Sequence, residues 1–148
     1  MFSDLVLLQQ ANTMSKHTFI QISSALLILL FLYTGLSKLL NHLQFSEEIF
    51  LRFHSRFFAE TMAYFIPVIE IIIAGFLFFQ VTQLFGFYGS AILMFLFTVY
   101  VAYMLLFMPH LPCSCGGVIA ALSWQQHLAL NIFFLLLSLF GIKLKRLK

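Results

Sequence analysis

Charged residues are scarce in this chain of 148 residues: they make up 9% of it, with 8 Lys and Arg against 5 Asp and Glu. Soluble domains carry about a quarter charged residues, so this chain has too few charges to cover a water-exposed surface. Disorder is excluded as well, because disordered chains combine high charge with low hydrophobicity. The class that remains is a small integral membrane protein, and the mean hydropathy of +1.02 agrees with it.

Cysteine is also rare. The chain has two cysteines, Cys113 and Cys115, which is too few for a disulfide-rich fold. A pI of about 9.0 does not indicate nucleic-acid binding, because half of the basic residues lie in a short tail at the C-terminal end. Basicity confined to a tail is not a binding face, and we therefore predict no nucleic-acid partner.

Four long apolar runs cover residues 19–40, 62–79, 84–108 and 126–142. Each is close to the ~20 residues that cross a bilayer as a helix, and lipid requires the backbone to satisfy its hydrogen bonds internally. The pattern predicts an all-α, integral membrane four-helix bundle in a lipid bilayer. The length predicts a single domain over residues 1–148.

The distribution of Lys and Arg predicts the orientation. No small-residue cleavage site follows the first run, so we expect an uncleaved first helix, with Met14 as an alternative start to Met1. With four spans, the side of the two termini holds more basic residues than the other side, which predicts cytoplasmic termini in the inner (cytoplasmic) membrane. The two groups are Lys16, Lys143, Lys145, Arg146 and Lys148 against Lys38, Arg52 and Arg56.

The connection between the first two spans, residues 41–61, has the pattern of an amphipathic helix. Aromatic and aliphatic residues recur every four positions, and opposite charges lie four apart; these are Phe45, Ile49, Phe53 and Phe57, with Glu48–Arg52 and Arg56–Glu60. We predict an outward-facing helix in the membrane interface. It either simply caps the bundle or forms a groove for a partner or substrate.

Ionisable residues inside spans are rare and indicate function by default. Glu70 lies within the second span, and Lys38, near the end of the first, is the predicted partner of its carboxylate. Small and polar residues at 4-3-4 spacing predict that Glu70 faces the bundle interior; they are Ala63, Pro67, Glu70 and Ala74.

Further polar residues are predicted at the outer half of the bundle. His127, Asn131 and Ser138 share one face of the fourth span, Tyr33 and Tyr103 lie on the first and third, and Gly86 with Ser90 predicts a close helix contact. We predict catalytic roles for Cys113, Cys115, His127, Glu70 and Lys38, and cofactor binding by Tyr33, Tyr103 and Asn131. The alternative is that the buried polar groups only join helices by hydrogen bonds.

The cysteine pair lies between the third and fourth spans. A disulfide between Cys113 and Cys115 closes a small strained ring, and strain makes such a bond labile. It closes almost no loop and so adds little stability, which favours a redox role. Two alternatives stay open: two independent free cysteines, or a thiolate site for Cu(I) or Zn(II) that uses His110 and His127. We assign no metal ligand.

Several motifs together resemble a known family. They are Tyr-Thr-Gly-Leu-Ser-Lys-Leu-Leu from Tyr33, Pro-Val-Ile-Glu-Ile from Pro67, Cys-Ser-Cys-Gly-Gly from Cys113, and Ser-Trp-Gln-Gln-His from Ser123, with Asn131 beyond. The chain resembles the DoxX/MauE-like family of four-helix, redox-associated membrane proteins, in its MauE-like branch. The resemblance implies a four-helix bundle in the cytoplasmic membrane, a link to maturation of disulfide-rich extracytoplasmic proteins, and quinone-linked redox chemistry.

From these observations we predict a membrane redox protein. Its Cys-x-Cys pair exchanges disulfides with an extracytoplasmic protein partner, and quinone is the expected electron acceptor. The alternative function is a non-enzymatic accessory or assembly subunit that carries a copper or zinc site.

Overall fold

The computed structural model describes residues 2–107 and 123–147. Within these ranges the protein is entirely helical and has no strand, as predicted. The five helices are α1 (Phe2–Leu40), α2 (His42–Phe53), α3 (Arg56–Phe78), α4 (Gln83–Phe107) and α5 (Trp124–Arg146).

Four of the helices are long and apolar enough to cross a bilayer, which confirms the predicted number of spans. They comprise Met14–Leu40, Arg56–Phe78, Gln83–Phe107 and Gln125–Arg146. Most large apolar side chains on their outer faces are exposed, and only a third or less of each apolar window is buried within the protein. A helix that is apolar around its whole circumference needs lipid on the outside, so this is a multi-pass membrane protein.

The segment 41–61 does not form the single amphipathic helix that its pattern predicts. α2 ends at Phe53, His54 adopts a left-handed conformation with φ of 54°, and Ser55 caps α3 by accepting a hydrogen bond from the backbone N–H of Phe58. Apolar residues recur every four positions on both sides of this break, so the apolar spacing in the sequence gave no sign that the helix ends. Residues 56–61 therefore belong to the second spanning helix, and α2 alone forms the short connecting helix.

Two basic side chains of this segment contact residues outside their own helix. Arg56, the first residue of α3, lies 3.4 Å from Glu47 Oε1 on α2, across the break. Arg52 lies over the ring of Tyr100 on α4, 5.3 Å from its centroid. Because α2 is separate from α3, Glu47 and Arg52 of α2 contact residues on the neighbouring helices α3 and α4.

The helices form a closed arrangement in which α1 packs on α3, α3 on α4, α4 on α5, and α5 on α1, while α2 packs on α3. Small residues permit the close α3–α4 contact: a Cβ on Gly86 would lie 2.7 Å from the backbone nitrogen of Leu77. Ser90, one turn further along α4, is buried and donates to the carbonyl of Gly86. The apolar core is drawn from all four spans: Ile20, Leu27, Phe31, Ile73, Ala74, Leu77, Phe87, Met94 and Phe134.

A polar contact fixes which helix ends lie together. The Lys145 ammonium, near the end of α5, donates to the carbonyl of Gln80 at 3.2 Å and to Gln83 Oε1 at 2.8 Å. The α3–α4 turn and the end of α5 therefore lie at one end of the bundle. Consecutive spans run antiparallel, so α2, the end of α4 and the start of α5 lie at the opposite end, which we call the α2 end.

Candidate functional site: an ion pair inside the bundle

Glu70 is completely buried and is the fifteenth residue of α3. At ~1.5 Å per residue it lies about 21 Å from the first residue of that helix. The helix extends six residues further before Glu70 than the predicted apolar run, because α3 begins at Arg56. Ala63, Pro67 and Ala74 are buried on the same face, which confirms that this small-residue face is directed into the bundle.

The predicted partner of Glu70 is present. Lys38 Nζ on α1 donates to Glu70 Oε1 at 2.5 Å, and the side chain of Lys38 is 20% exposed where that of Glu70 is fully enclosed. A buried charge is tolerated only when it is paired and hydrogen-bonded. The ion pair therefore joins α1 to α3 within the membrane-spanning part of the protein.

Gly35 brings the two helices close enough for this contact. A Cβ at Gly35 would lie 3.3 Å from the carbonyl oxygen of Pro67 and 3.4 Å from Cβ of Glu70. These distances are tighter than ordinary van der Waals contact, so glycine lets the α1 backbone approach α3 just below Lys38. Thr34, next to Gly35, also has its hydroxyl close to the Glu70 carboxylate and donates to the carbonyl of Leu30.

Two aromatic rings lie beside the Lys38 ammonium. Nζ lies 4.9 Å from the ring centroid of Phe97 on α4 and 5.7 Å from that of Phe45 on α2. A cation at this distance from a ring is attracted by its quadrupole. Four helices therefore contribute to one site, and we call Lys38, Glu70, Phe45 and Phe97 the ion-pair site.

The other predicted site residues lie elsewhere. His127 is buried one turn after the start of α5, and Asn131 is half-buried one turn further on. Tyr33 and Tyr103 are exposed, and the ring of Tyr103 packs against Phe107, with centroids 4.9 Å apart. The contacts of Lys38 with Glu70, Phe45 and Phe97 involve none of these four residues.

Cys113, Cys115 and His110 lie outside the described residues. The flanking helix ends are described: α4 ends at Phe107, and Ser123 caps α5 in a reciprocal arrangement with Gln126. Both ends belong to the α2 end of the bundle. Within residues 2–107 and 123–147, no three His, Cys, Asp or Glu side chains gather in a group that could hold a metal ion.

Phe97 and Phe45 are the members of the site that the sequence did not indicate as site residues. The chain contains 20 phenylalanines, and an apolar residue in an apolar span carries no local signal. Gly35 and Thr34 belong to the motif that begins at Tyr33, and the available signal was that Gly35 lies one turn before Lys38 in the same helix. Glu70 and Lys38 were found because charge is so rare in the spans.

Comparison with known proteins identifies the family. The family model described as methylamine utilisation protein MauE matches residues 16–144, nearly the whole chain. The chain belongs to the MauE family. The match covers the second and third spans fully, nearly all of the first and fourth, and the segment with both cysteines, so the MauE-like resemblance is confirmed. Neither the curated proteins nor the solved structures compared with the chain gave a match.

Proposed function

We propose that this MauE-family protein is a membrane redox protein that exchanges disulfides with an extracytoplasmic protein through Cys113 and Cys115. The observation that supports it is that the cysteine segment and the ion-pair site belong to the same end of the bundle. The segment with both cysteines of the chain connects α4 to α5 at the α2 end, close in sequence to the buried His127. Lys38 lies in the last turn of α1, at the same end.

The orientation is part of the proposal. Three basic residues, Lys143, Lys145 and Arg146, lie in the last turn of α5, opposite the α2 end. Basic residues next to a span favour the cytoplasm. The α2 end then faces the extracytoplasmic side of the inner membrane, where disulfides persist.

The chemistry balances with two partners. A thiolate of the partner protein attacks the Cys113–Cys115 disulfide, and a mixed disulfide forms as the second sulfur leaves. The partner's second thiolate then displaces this chain, so the partner gains a disulfide and Cys113 and Cys115 become thiols. A membrane quinone reoxidises them and takes up two electrons and two protons as quinol. His127 is proposed to favour the attacking or leaving thiolate by hydrogen bonding.

Trapping the mixed disulfide tests the proposal. With Cys115→Ser, the Cys113 thiolate can still attack the disulfide of an oxidised partner, which is the reverse of the second step. No Cys115 sulfur is left to displace the partner from the mixed disulfide, so a covalent adduct is expected to accumulate. Acid quenching of cells, alkylation of free thiols and non-reducing electrophoresis of the tagged full chain detect it as a band that dithiothreitol removes.

The neighbouring substitution Ser114→Ala is the matched control, and no adduct is expected from it or from Cys113→Ser/Cys115→Ser. Absence of an adduct from both Cys115→Ser and Cys113→Ser, at normal protein levels, contradicts thiol exchange. One equivalent of copper or zinc in the purified protein, lost in Cys113→Ser, favours the accessory-subunit alternative instead.

A further inference from the structure

The ion-pair site has hydrogen-bonding capacity that the described residues do not use. Glu70 Oε2 is buried and has no hydrogen-bond partner among them. The Lys38 ammonium has three donors, and its one hydrogen bond to a described residue goes to Glu70 Oε1. Buried polar groups in native proteins are normally satisfied. Oε2 is an acceptor in a fully enclosed side chain, so a ligand that accepts hydrogen bonds is served by the two remaining donors of Lys38, which is partly exposed.

The charges select the kind of ligand. Glu70 already balances the charge of Lys38, so an anion such as a phosphate would meet an unpaired carboxylate oxygen in a medium of low dielectric constant. A neutral carbonyl group, in contrast, accepts a hydrogen bond from the ammonium without adding charge. The site therefore favours a neutral acceptor over a phospholipid headgroup.

The surroundings select the shape of the ligand. The rings of Phe45 and Phe97 lie beside the ammonium, and rings of this kind pack against the face or edge of another flat ring. A ligand would reach the site at Lys38, because the side chain of Lys38 is 20% exposed and that of Glu70 is fully buried. A flat, neutral ring with carbonyl groups at its edge matches these walls and this donor.

We propose that the ion-pair site binds the head group of a membrane quinone, with Lys38 donating to a quinone carbonyl between Phe45 and Phe97. This rests on the proposed function, in which the Cys113 and Cys115 thiols become a disulfide as the quinone becomes quinol. The two thiols supply both electrons and both protons. Lys38 stabilises the negative charge that develops on the quinone oxygen, and Glu70 positions the ammonium.

Binding of tritiated ubiquinone-1 to the full chain in lipid nanodiscs tests the site. The chain carries Cys113→Ser and Cys115→Ser, so binding is measured independently of thiol exchange, and empty nanodiscs give the background. Replacing the pair together, by Lys38→Met and Glu70→Leu, avoids leaving an unpaired buried charge. We expect its Kd to rise at least tenfold, and that of Phe97→Leu to rise about fivefold, as one lost ring contact predicts.

The matched control is Lys145→Met, which removes a hydrogen-bonded ammonium at the opposite end of the bundle, and its Kd should stay within twofold. Kd values unchanged in both the double variant and Phe97→Leu overturn the proposed site, as does an absence of saturable binding. Quinone binding that depends on the pair, together with failure to trap a mixed disulfide, would leave the site standing and remove the thiol-exchange function.

Discussion

Replacing Lys38 by methionine is expected to lower the free energy of unfolding by about 3–5 kcal/mol, because it leaves the carboxylate of Glu70 buried without its partner. Glu70 is fully enclosed and lies far from either end of α3. The Thr34 hydroxyl close to this carboxylate already donates to a backbone carbonyl. It therefore offers little compensation for the lost ammonium.

The double variant Lys38→Met/Glu70→Leu distinguishes two causes of instability in Lys38→Met: the unpaired charge left on Glu70, and the lost packing of the Lys38 side chain. Replacing a whole buried ion pair by apolar residues is often neutral or stabilising, so we expect it to unfold close to the wild-type protein. Lys145→Met should cost about 1–3 kcal/mol, as the loss of the hydrogen bonds of its ammonium to Gln80 and Gln83 at about 0.5–1.5 kcal/mol each. The measurement is reversible unfolding in mixed micelles of increasing dodecyl sulfate fraction, followed by helical circular dichroism. If Lys38→Met and the double variant lower the free energy of unfolding equally, the unpaired charge of Glu70 is not the cause, and the prediction is contradicted.

The substitution Gly86→Ala is expected to destabilise the bundle by about 1–3 kcal/mol, the usual cost of overpacking a closely packed interior. The new Cβ would lie 2.7 Å from the backbone nitrogen of Leu77 and 2.8 Å from its Cγ. Backbone atoms cannot rotate away as the end of a flexible side chain can. Helices α3 and α4 must therefore move apart at this point.

Gly75→Ala is the matched control, since it makes the same change at a helical glycine of the same hairpin. No atom lies within 4 Å of a Cβ built there, and alanine is favoured over glycine in a helix by up to about 1 kcal/mol. The two substitutions should shift the same unfolding transition in opposite directions. Shifts of equal sign and size would contradict the close α3–α4 contact.

Much of the architecture was predictable, and the reasons are specific. The four spans follow from lipid, which leaves an apolar run of ~20 residues little choice but a helix. The Lys38–Glu70 pair follows from the cost of an isolated charge in a span. Neither inference required knowledge of how the helices pack.

The break between α2 and α3 was missed for a physical reason. Phe53 and Phe57 keep the four-residue apolar period across it, and position 54 holds a histidine and not the glycine that most often marks a left-handed conformation. Ser55 was the available signal, because serine often caps a helix. The two aromatic walls of the ion-pair site depend on tertiary packing of α2 and α4, which no local pattern encodes.

The most direct test of the redox account is the thiol state of Cys113 and Cys115 in intact cells, measured by acid quenching and alkylation with a mass tag, with and without quinone biosynthesis. We expect Cys113 and Cys115 to be largely oxidised when quinone is present and largely reduced when quinone is depleted. The Lys38→Met/Glu70→Leu variant should keep the pair reduced even when quinone is present. A pair that stays reduced under both conditions in the unmodified chain would contradict the account.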